Sequence, residues 1–531
     1  MDLRTLLRHL KHQPTPVRDL DPEKIPRREV RGVTADSRRV SSGWVFVACP
    51  GATAVSRDGH EFVEQVCRQN PAAVVVGDTA CISSGIQVPV LRADDPVTAV
   101  AQLAEVFHGK PSTHLRLCGV TGTDGKTSVT HILARVLQMS ARRAAVLGTL
   151  GVGPPDQLRP LQHTTPPAEE LSAQLAQFRH DGITEVAMEV SSHALALRRA
   201  DGLTFALAAL THINRDHLDF HGSREAYVAA KGRLFFELLR PGRPAVLPVD
   251  HPWVEQVRQR GCPVVTWGRS PQADVWAERV QCTLRGTAFA LHIRAGEPGS
   301  RDAIHRVSTE QNQVRVQTQP LGAFQVDNMV CAAACAAALR VPTTMITQGL
   351  CGLRPLPGRM ESVHLSNDAG GDSGTLPTVI VDYAHTPGAL AAVLDSVRRL
   401  LPRRGRIVLV FGCGGERDQE KRPLMGRVAA QKADRVFLAD DNPRSEDPAA
   451  ILHQIAQGAA DFPQTGCRIV GDRAQAIQEA VSSAEPDDVV LICGKGHESE
   501  QIRGGNSTPF RDRDHAREVL QLVSSRRGDR V

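Results

Sequence analysis

Two groups of residues have types and spacings suited to phosphate and carboxylate chemistry. In the first, Gly122-Thr123-Asp124-Gly125-Lys126-Thr127-Ser128 follows the apolar run Leu115 to Val120 and precedes a helical period. Gly122 and Gly125 let backbone N–H groups approach phosphate oxygens, and the helix start adds partial positive charge. Lys126 can reach the outer phosphates and the Thr127 hydroxyl can ligate Mg²⁺, so ATP is the expected ligand. Val120 occupies the first glycine position of the longer phosphate-loop pattern, which makes this a short variant; the plain alternative is a tight turn with an exposed lysine. In the second group, Glu189-Val190-Ser191-Ser192-His193 and Asn214-Arg215-Asp216-His217-Leu218-Asp219 each close an apolar run. Such acids suit Mg²⁺, which keeps waters and is completed by substrate phosphates, and Glu189 is the best carboxylate. Zinc needs a three-ligand or closed set that these residues do not assemble. Taken alone, His217 reads as a surface or core histidine.

The elements that must position these residues are short β-rich apolar runs: Ala72 to Val76, Leu115 to Val120, Glu185 to Val190, Phe205 to Leu210, Thr378 to Val381, Ile407 to Phe411 and Val489 to Cys493. They read as buried parallel strands. Between them lie helical periods, such as Val129, Ile132, Leu133, Val136 and Leu137, or Leu390, Val393, Leu394 and Val397 after Pro387. Alternation of strand and helix predicts an α/β fold, with ligands at the carboxyl ends of open parallel sheets. At ~150 residues per domain, 531 residues suggest three or four domains. Cuts near Lys110-Pro111 and Pro357-Gly358 give three, 1–112, 113–357 and 358–531.

Composition narrows the function. The 63 Lys and Arg nearly balance 58 Asp and Glu, leaving +5 and no dedicated nucleic-acid footprint. No apolar run approaches the ~20 residues that span a bilayer, and the basic start lacks the apolar core of a secretory signal. The acids Asp2, Asp19, Asp21 and Glu23 argue against an organelle address. Twelve scattered cysteines without a C-x-x-C pair, including Cys331 and Cys335 in an Ala-rich helical stretch, predict buried thiols in a reducing cytoplasm. A polar stretch, Ser366 to Thr375, and a basic tail, Ser524 to Val531, read as solvated loop and terminus.

Several motifs together resemble the Mur ligases of peptidoglycan synthesis, over nearly the whole chain. They are Thr34-Ala35-Asp36-Ser37-Arg38, the Gly122 to Ser128 loop, His163-Thr164-Thr165-Pro166, the Glu189 to His193 and Asn214 to Asp219 segments, Ala229-Ala230-Lys231, and Pro357-Gly358-Arg359-Met360-Glu361. Asp382-Tyr383-Ala384-His385-Thr386-Pro387, Gly412 to Asp418, Asp441 to Arg444 and Gly494-Lys495-Gly496-His497-Glu498 complete the series. The resemblance implies an N-terminal UDP-sugar domain, a central ATPase domain and a C-terminal Rossmann-like domain. It further implies a cytoplasmic ligase, expected as a monomer, that makes an acyl phosphate on UDP-N-acetylmuramoyl-L-Ala-D-Glu and lets an incoming amino acid attack it.

By that resemblance Thr127 and Glu189 would hold one Mg²⁺, and His217 with a carbamylated Lys231 a second. Lys126, Glu189, His217 and Lys231 would carry catalysis. Asn328 and Arg359 would contact the nucleotide, with Asp382 and His385 lining the facing strand end. Ser37, Thr164, Thr165, Ser191 and Arg199 would hold the UDP-muramoyl dipeptide. Asp441, Asn442, Pro443 and Arg444, with Arg417, Gly494 and Glu498, resemble the pocket of the branch that adds meso-diaminopimelate. A planar guanidinium can bind the distal carboxylate that lysine lacks, and Glu498 can pair the neighbouring ammonium. Five departures from the family pattern touch these contacts: Asp124 stands where Asn is usual, Gln325 and Asp327 alter the pattern before Asn328, Leu197 replaces a polar residue, and Gly51 to Gly59 looks lengthened. The rival expectations are a lysine-adding or folylpolyglutamate-type ligase, and a catalytically silent scaffold with the same fold.

Overall fold

The computed structural model describes all residues except 12–16, 19–22, 52–56, 78–85, 285, 295–312, 320–321, 366–375 and 529–531. Most of the Gly51 to Gly59 stretch and all of Ser366 to Thr375 thus lie outside the described residues. The strands expected from apolar runs form, and they assemble into three sheets in chain order. The first is parallel, ordered Gly32–Thr34, Trp44–Val47, Ala73–Gly77, Val90–Ala93. The third orders Thr378–Asp382, Val489–Cys493, Ile407–Phe411, Arg435–Ala439 and Cys467–Gly471 in parallel, with Glu361–Val363 antiparallel at one edge.

The second sheet has ten strands. Its parallel centre runs Ala144–Gly148, Glu185–Glu189, Arg116–Thr121, Leu207–Leu210, Ala245–Pro248, Val264–Gly268. The phosphate-loop strand Arg116–Thr121 therefore lies between the strands that end in Glu189 and lead to His217. An antiparallel ribbon of Val275–Thr283, Gly286–Ile293 and Gln313–Thr318 extends one edge.

Both faces of this sheet are covered, which explains why its strands read as continuous apolar runs. On one face helices Lys126–Met139 and Ala323–Ala338 bury Val129, Ile132, Leu133, Met329, Val330, Cys331 and Cys335. Cys331 and Cys335 are free thiols, packed as small hydrophobes. On the other, Phe178, Phe205, Leu234 and Phe235 close over Val186, Met188 and Leu210. Each such side chain contributes ~1.5–3 kcal/mol by leaving water. Asp95, Ser191, Thr386, Asp447 and Asp472 cap helix starts by accepting backbone N–H bonds.

The basic tail departs from expectation. Helix Asp512–Gly528 runs through Ser524 rather than ending before it. Its Ala516, Val519, Leu520 and Val523 are buried against the third sheet, so packing carries the helix beyond where composition suggested a solvated end. Among the described residues no helix is long and apolar enough to cross a membrane.

Candidate active site

The Gly122 to Ser128 loop joins strand Arg116–Thr121 to helix Lys126–Met139 as the sequence predicted. Gly125 needs its missing Cβ: its φ is +86°, and a methyl there would sit 2.3 Å from Asn328 Oδ1. Asn328 thus lies against the loop, oriented by a bond from its Nδ2 to Gln325 Oε1 at 3.0 Å. The departure at Gln325 keeps an amide partner for Asn328. Asp327 instead pairs with Arg269 at 2.5 Å. Asp124 accepts a 3.5 Å contact from Asn214 Nδ2, and its carbonyl accepts the Thr211 hydroxyl at 2.6 Å. The Thr123 hydroxyl meets the Tyr227 phenol at 2.8 Å, and Ser128 is buried in the first helical turn.

Glu189 is buried at the end of its strand. It accepts the Thr127 hydroxyl at 3.1 Å, the Thr149 N–H at 2.8 Å and the Thr149 hydroxyl at 3.1 Å. These donors are neutral, so a buried carboxylate and a hydroxyl face one another without a cationic side chain bonded to the acid. That donor chemistry fits a divalent cation completed by phosphate and water. Among the described residues no group of three or more His, Cys, Asp or Glu forms a metal cage.

Lys231 is 1% exposed on helix Arg224–Arg233, and its Nζ donates to the Gly122 carbonyl at 2.7 Å and lies over the Tyr227 ring. Burial, aided by nearby Lys126, pushes its pKa well below the usual lysine value. His217 has left-handed backbone, φ +52°, and its Nε2 lies 3.2 Å from Asp216. Burial drives its pKa down to about 3, against the opposing pull of Asp216. His217 and Lys231 both border Tyr227, at 6.4 Å between ring centroids for the histidine and 4.5 Å for the ammonium nitrogen.

Arg359 joins the second and third sheets' units. Its guanidinium reaches Thr127 Oγ1 at 3.4 Å and stacks over Tyr383 at 4.5 Å. Asp382 fixes the turn that carries it, accepting the N–H of Met360 at 2.7 Å and of Ala384 at 2.8 Å. Burial raises the Asp382 pKa to about 6, while Arg359 pulls it down. His385 is buried beside it, bonded through Nδ1 to the Tyr383 carbonyl at 2.9 Å, and burial lowers its pKa. Gly358, next to Arg359, packs so tightly on the Gly496-His497 backbone that a Cβ would lie 2.2 Å from His497 N.

Beyond Gly496 a second cluster of polar residues lies at the strand ends of the third sheet. Asn442 Nδ2 donates to Glu498 Oε2 at 2.7 Å, and Asp441, Asn442 and Pro443 are buried. Arg444 donates from NH1 to the Gly415 carbonyl at 2.6 Å, which places it beside the loop carrying Arg417. Gly494 N–H donates to the Asp382 carbonyl at 3.2 Å, linking this cluster to the Arg359 turn.

The chain matches the model for the Mur ligase middle domain over residues 120–336 and that for the Mur ligase, glutamate ligase domain over 358–496. It is 40% identical to the UDP-N-acetylmuramoyl-L-alanyl-D-glutamate–2,6-diaminopimelate ligase of Alkalilimnicola ehrlichii, covering 99% of this chain and 100% of the relative. The chain belongs to the Mur ligase family. The enzyme of the same name from Geobacillus kaustophilus is 37% identical, covering 93% and 95% of the two chains. A solved diaminopimelate ligase of that name superposes with a TM-score of 0.63 at 29% identity, over 93% of this chain and 95% of the other. The MurF ligase of Thermotoga maritima, solved with ADP, shares the fold at 17% identity with a TM-score of 0.60, covering 94% and 99%.

In this Mur ligase Thr164, Ser191 and Arg199 gather around Thr149 and Thr165, beside Glu189. Thr164 meets the Thr149 hydroxyl at 3.0 Å, and Thr165 donates to the Glu189 carbonyl at 2.8 Å. Ser191 donates its N–H to Thr165 Oγ1 at 3.1 Å, and Arg199 NH1 donates to the Thr165 carbonyl at 2.8 Å. Ser37 stands apart, opening a short 3₁₀ turn in the first sheet's unit. That turn is tied to the central unit by Glu169, which accepts the Thr34 hydroxyl and the Ala35 N–H, each at 3.3 Å.

Sequence reasoning missed Thr149, Tyr227, Lys495 and the hairpin of Glu500–Arg503 with Asn506–Pro509. The hairpin is tied to the second cluster: Ile502 N–H donates to Asn442 Oδ1 at 3.0 Å, Gln501 Nε2 donates to the Asp441 carbonyl at 3.0 Å, and Arg444 N–H donates to the Ile502 carbonyl at 3.1 Å. Gly504-Gly505, both with positive φ between the strands, was the available signal.

Proposed function

We propose that this Mur ligase uses ATP to add meso-2,6-diaminopimelate to UDP-N-acetylmuramoyl-L-Ala-D-Glu in cytoplasmic peptidoglycan precursor synthesis. The observation that carries the reading is Arg359: it touches the phosphate loop at Thr127, while its neighbour Gly358 packs on the loop ending in Glu498. The turn Gly358-Arg359 thereby links the phosphate loop to the segment that ends in Glu498. The relatives named for this addition align with nearly the whole chain.

In this reading residues 1–112 and the Thr164, Thr165, Ser191 and Arg199 cluster hold the UDP-muramoyl dipeptide, with Ser37 at its far end. Residues 113–357 bind ATP and 358–531 bring the amino acid. The D-Glu side-chain carboxylate attacks the γ-phosphorus, ADP leaves and an acyl phosphate forms. The free amine of diaminopimelate then attacks the acyl carbon, and the tetrahedral adduct expels phosphate to give the amide. Lys126 and Arg359 hold the phosphoryl oxygens in line and offset their charge, which is most of what such transfers require. Thr127 and Glu189 would hold Mg²⁺, which when bound neutralises the phosphate oxygens. His217 and Lys231 would hold a second ion, Lys231 after its neutral amine has added CO₂ to become an anionic carbamate. Arg444 keeps N–H donors beyond the one given to Gly415 for the distal carboxylate, and Glu498 takes the adjoining ammonium.

The test incubates purified protein with ATP, UDP-muramoyl dipeptide and either diaminopimelate or L-lysine. Phosphate release requiring both dipeptide and diaminopimelate is the expected result. Equal or faster turnover with lysine overturns the substrate, and phosphate release indifferent to the dipeptide overturns the ligase reading.

A further inference from the structure

Lys495 is the one lysine besides Lys231, among the described residues, that is a fully buried large side chain, and nothing above gives it a task. Its Nζ donates to Asn442 Oδ1 at 3.0 Å, to Glu498 Oε2 at 3.1 Å and to the Glu500 carbonyl at 2.6 Å, and lies 3.9 Å from Asp441 Oδ1. An ammonium has three N–H donors, so these bonds use all of them and none remains for a ligand. Lys495 therefore acts only through its neighbours. We propose that Lys495 is the positioning residue of the amino-acid pocket: by bonding Asn442, Glu498 and the covering hairpin at once, it fixes the Glu498 carboxylate to receive the ammonium of the incoming diamino acid.

Three consequences of the geometry support this. First, the Asn442 amide has one orientation. Its Oδ1 accepts both Lys495 Nζ and the Ile502 N–H, so its Nδ2 must face Glu498, as observed at 2.7 Å. Turning the amide over would set NH₂ against an ammonium and an N–H. Second, Glu498 Oε2 is occupied by Lys495 and Asn442, which leaves Oε1 as the oxygen free to meet a ligand. Third, two acids, Asp441 and Glu498, share a desolvated pocket. Burial and Asp441 raise the Glu498 pKa, while Lys495 and Asn442 oppose that rise. The other titratable and charged groups around this carboxylate are Tyr383, His497 and Arg417, with Glu500, Arg503 and Asp440 on and beneath the hairpin.

The inference rests on reading this pocket as the amino-acid site, and the experiment separates the two. Lys495→Met keeps the length of the side chain and removes its charge. At pH 8 we expect the KM for diaminopimelate to rise roughly 30-fold or more, as for loss of one member of a buried charge pair, with the KM values for ATP and the UDP-dipeptide within about 2-fold of wild type. The defect should shrink as pH rises, because Lys495 is one of the groups that hold the Glu498 pKa down. In the background of Glu498→Gln, adding Lys495→Met should cost less than about 3-fold more, because the residue acts through the carboxylate. A diaminopimelate KM unchanged, a defect constant with pH, or additive losses in the double variant each overturn the proposal while leaving the ligase reading intact. Absence of diaminopimelate turnover in wild type overturns the reading instead. Should Lys495→Met fail to fold, Lys495→Gln, uncharged but polar, carries the same test: it must show a diaminopimelate KM defect that shrinks as pH rises, and a wild-type KM overturns the proposal.

Discussion

Lys126 and Lys231 donate to one oxygen, the Gly122 carbonyl, at 2.8 and 2.7 Å. Two ammonium groups on one buried carbonyl repel, and burial, with Lys126 beside it, holds the Lys231 pKa well below the usual lysine value. A neutral amine is the form that adds CO₂.

That relationship predicts a carbamate. Protein equilibrated with ¹³C-bicarbonate should show a carbamate carbon resonance that is missing from Lys231→Ala, and ligase activity of that variant should fall by ~10²-fold or more. Persistence of the resonance in the variant would place the carbamate elsewhere.

Acid should destabilise the metal-free fold. Burial, with Arg359 nearby, lowers the pKa of His131 to about 4 and of His497 to about 3, against 6.5 for free imidazole. Above pH 6.5 both states carry neutral imidazoles and the folded state keeps its full stability. As pH falls below 6.5 the unfolded chain binds protons that the folded chain refuses, costing up to ~1.4 kcal/mol per pH unit for each group. Asp382 acts the other way, since its raised pKa relieves the folded state between about 6 and 3.8. His217 and His385 are lowered as well, and these four imidazoles outweigh the raised carboxyls of Asp382 and Glu498, so urea midpoints should drop from pH 7 to pH 5, less steeply in His131→Gln. An unchanged slope in that variant would refute the assignment.

Arg473 and Asp512, both fully buried, form a two-armed pair at 2.7 Å, and Arg473 also donates to the Cys493 carbonyl at 2.9 Å. Breaking such a pair strands a charge, so Arg473→Met should cost ~3–5 kcal/mol in urea unfolding. Because Cys493 precedes Gly494, the same variant should loosen the amino-acid pocket, seen as a raised KM for diaminopimelate at temperatures where it remains folded.

Arg444→Ala should raise the KM for diaminopimelate by ~10²-fold, the cost of losing a two-armed carboxylate contact. Residual turnover of L-lysine should be little changed, since lysine has no distal carboxylate to lose. Parallel losses for both substrates would show that Arg444 supports the loop through Gly415 rather than reading the side chain.

The strand ends were legible because parallel strands buried on both faces leave unbroken apolar runs, and polar motifs stand out where those runs stop. Glu189 was found that way. Thr149 follows the same rule after Ala144–Gly148, but a lone threonine carries no chemical signature. The hairpin Glu500–Pro509 was missed because its residues are mostly exposed and show no alternation; its backbone, rather than an apolar face, does the binding. Arg473 and Asp512 lie 39 residues apart, and only folding reveals them as partners. Lys495 was visible within a glycine-rich motif, yet a lysine between glycines reads as exposed until its burial is seen.

Thr127 has one proton, and it gives it to Glu189; its lone pairs face Arg359. A hydroxyl oxygen has two lone pairs, so the 3.4 Å contact from Arg359 leaves one for a cation that Thr127 and Glu189 would hold. A guanidinium carried by the third sheet's unit thus stands at the first turn of the central unit's helix, and its other face rests on the Tyr383 ring, so one side chain spans the seam between the two units.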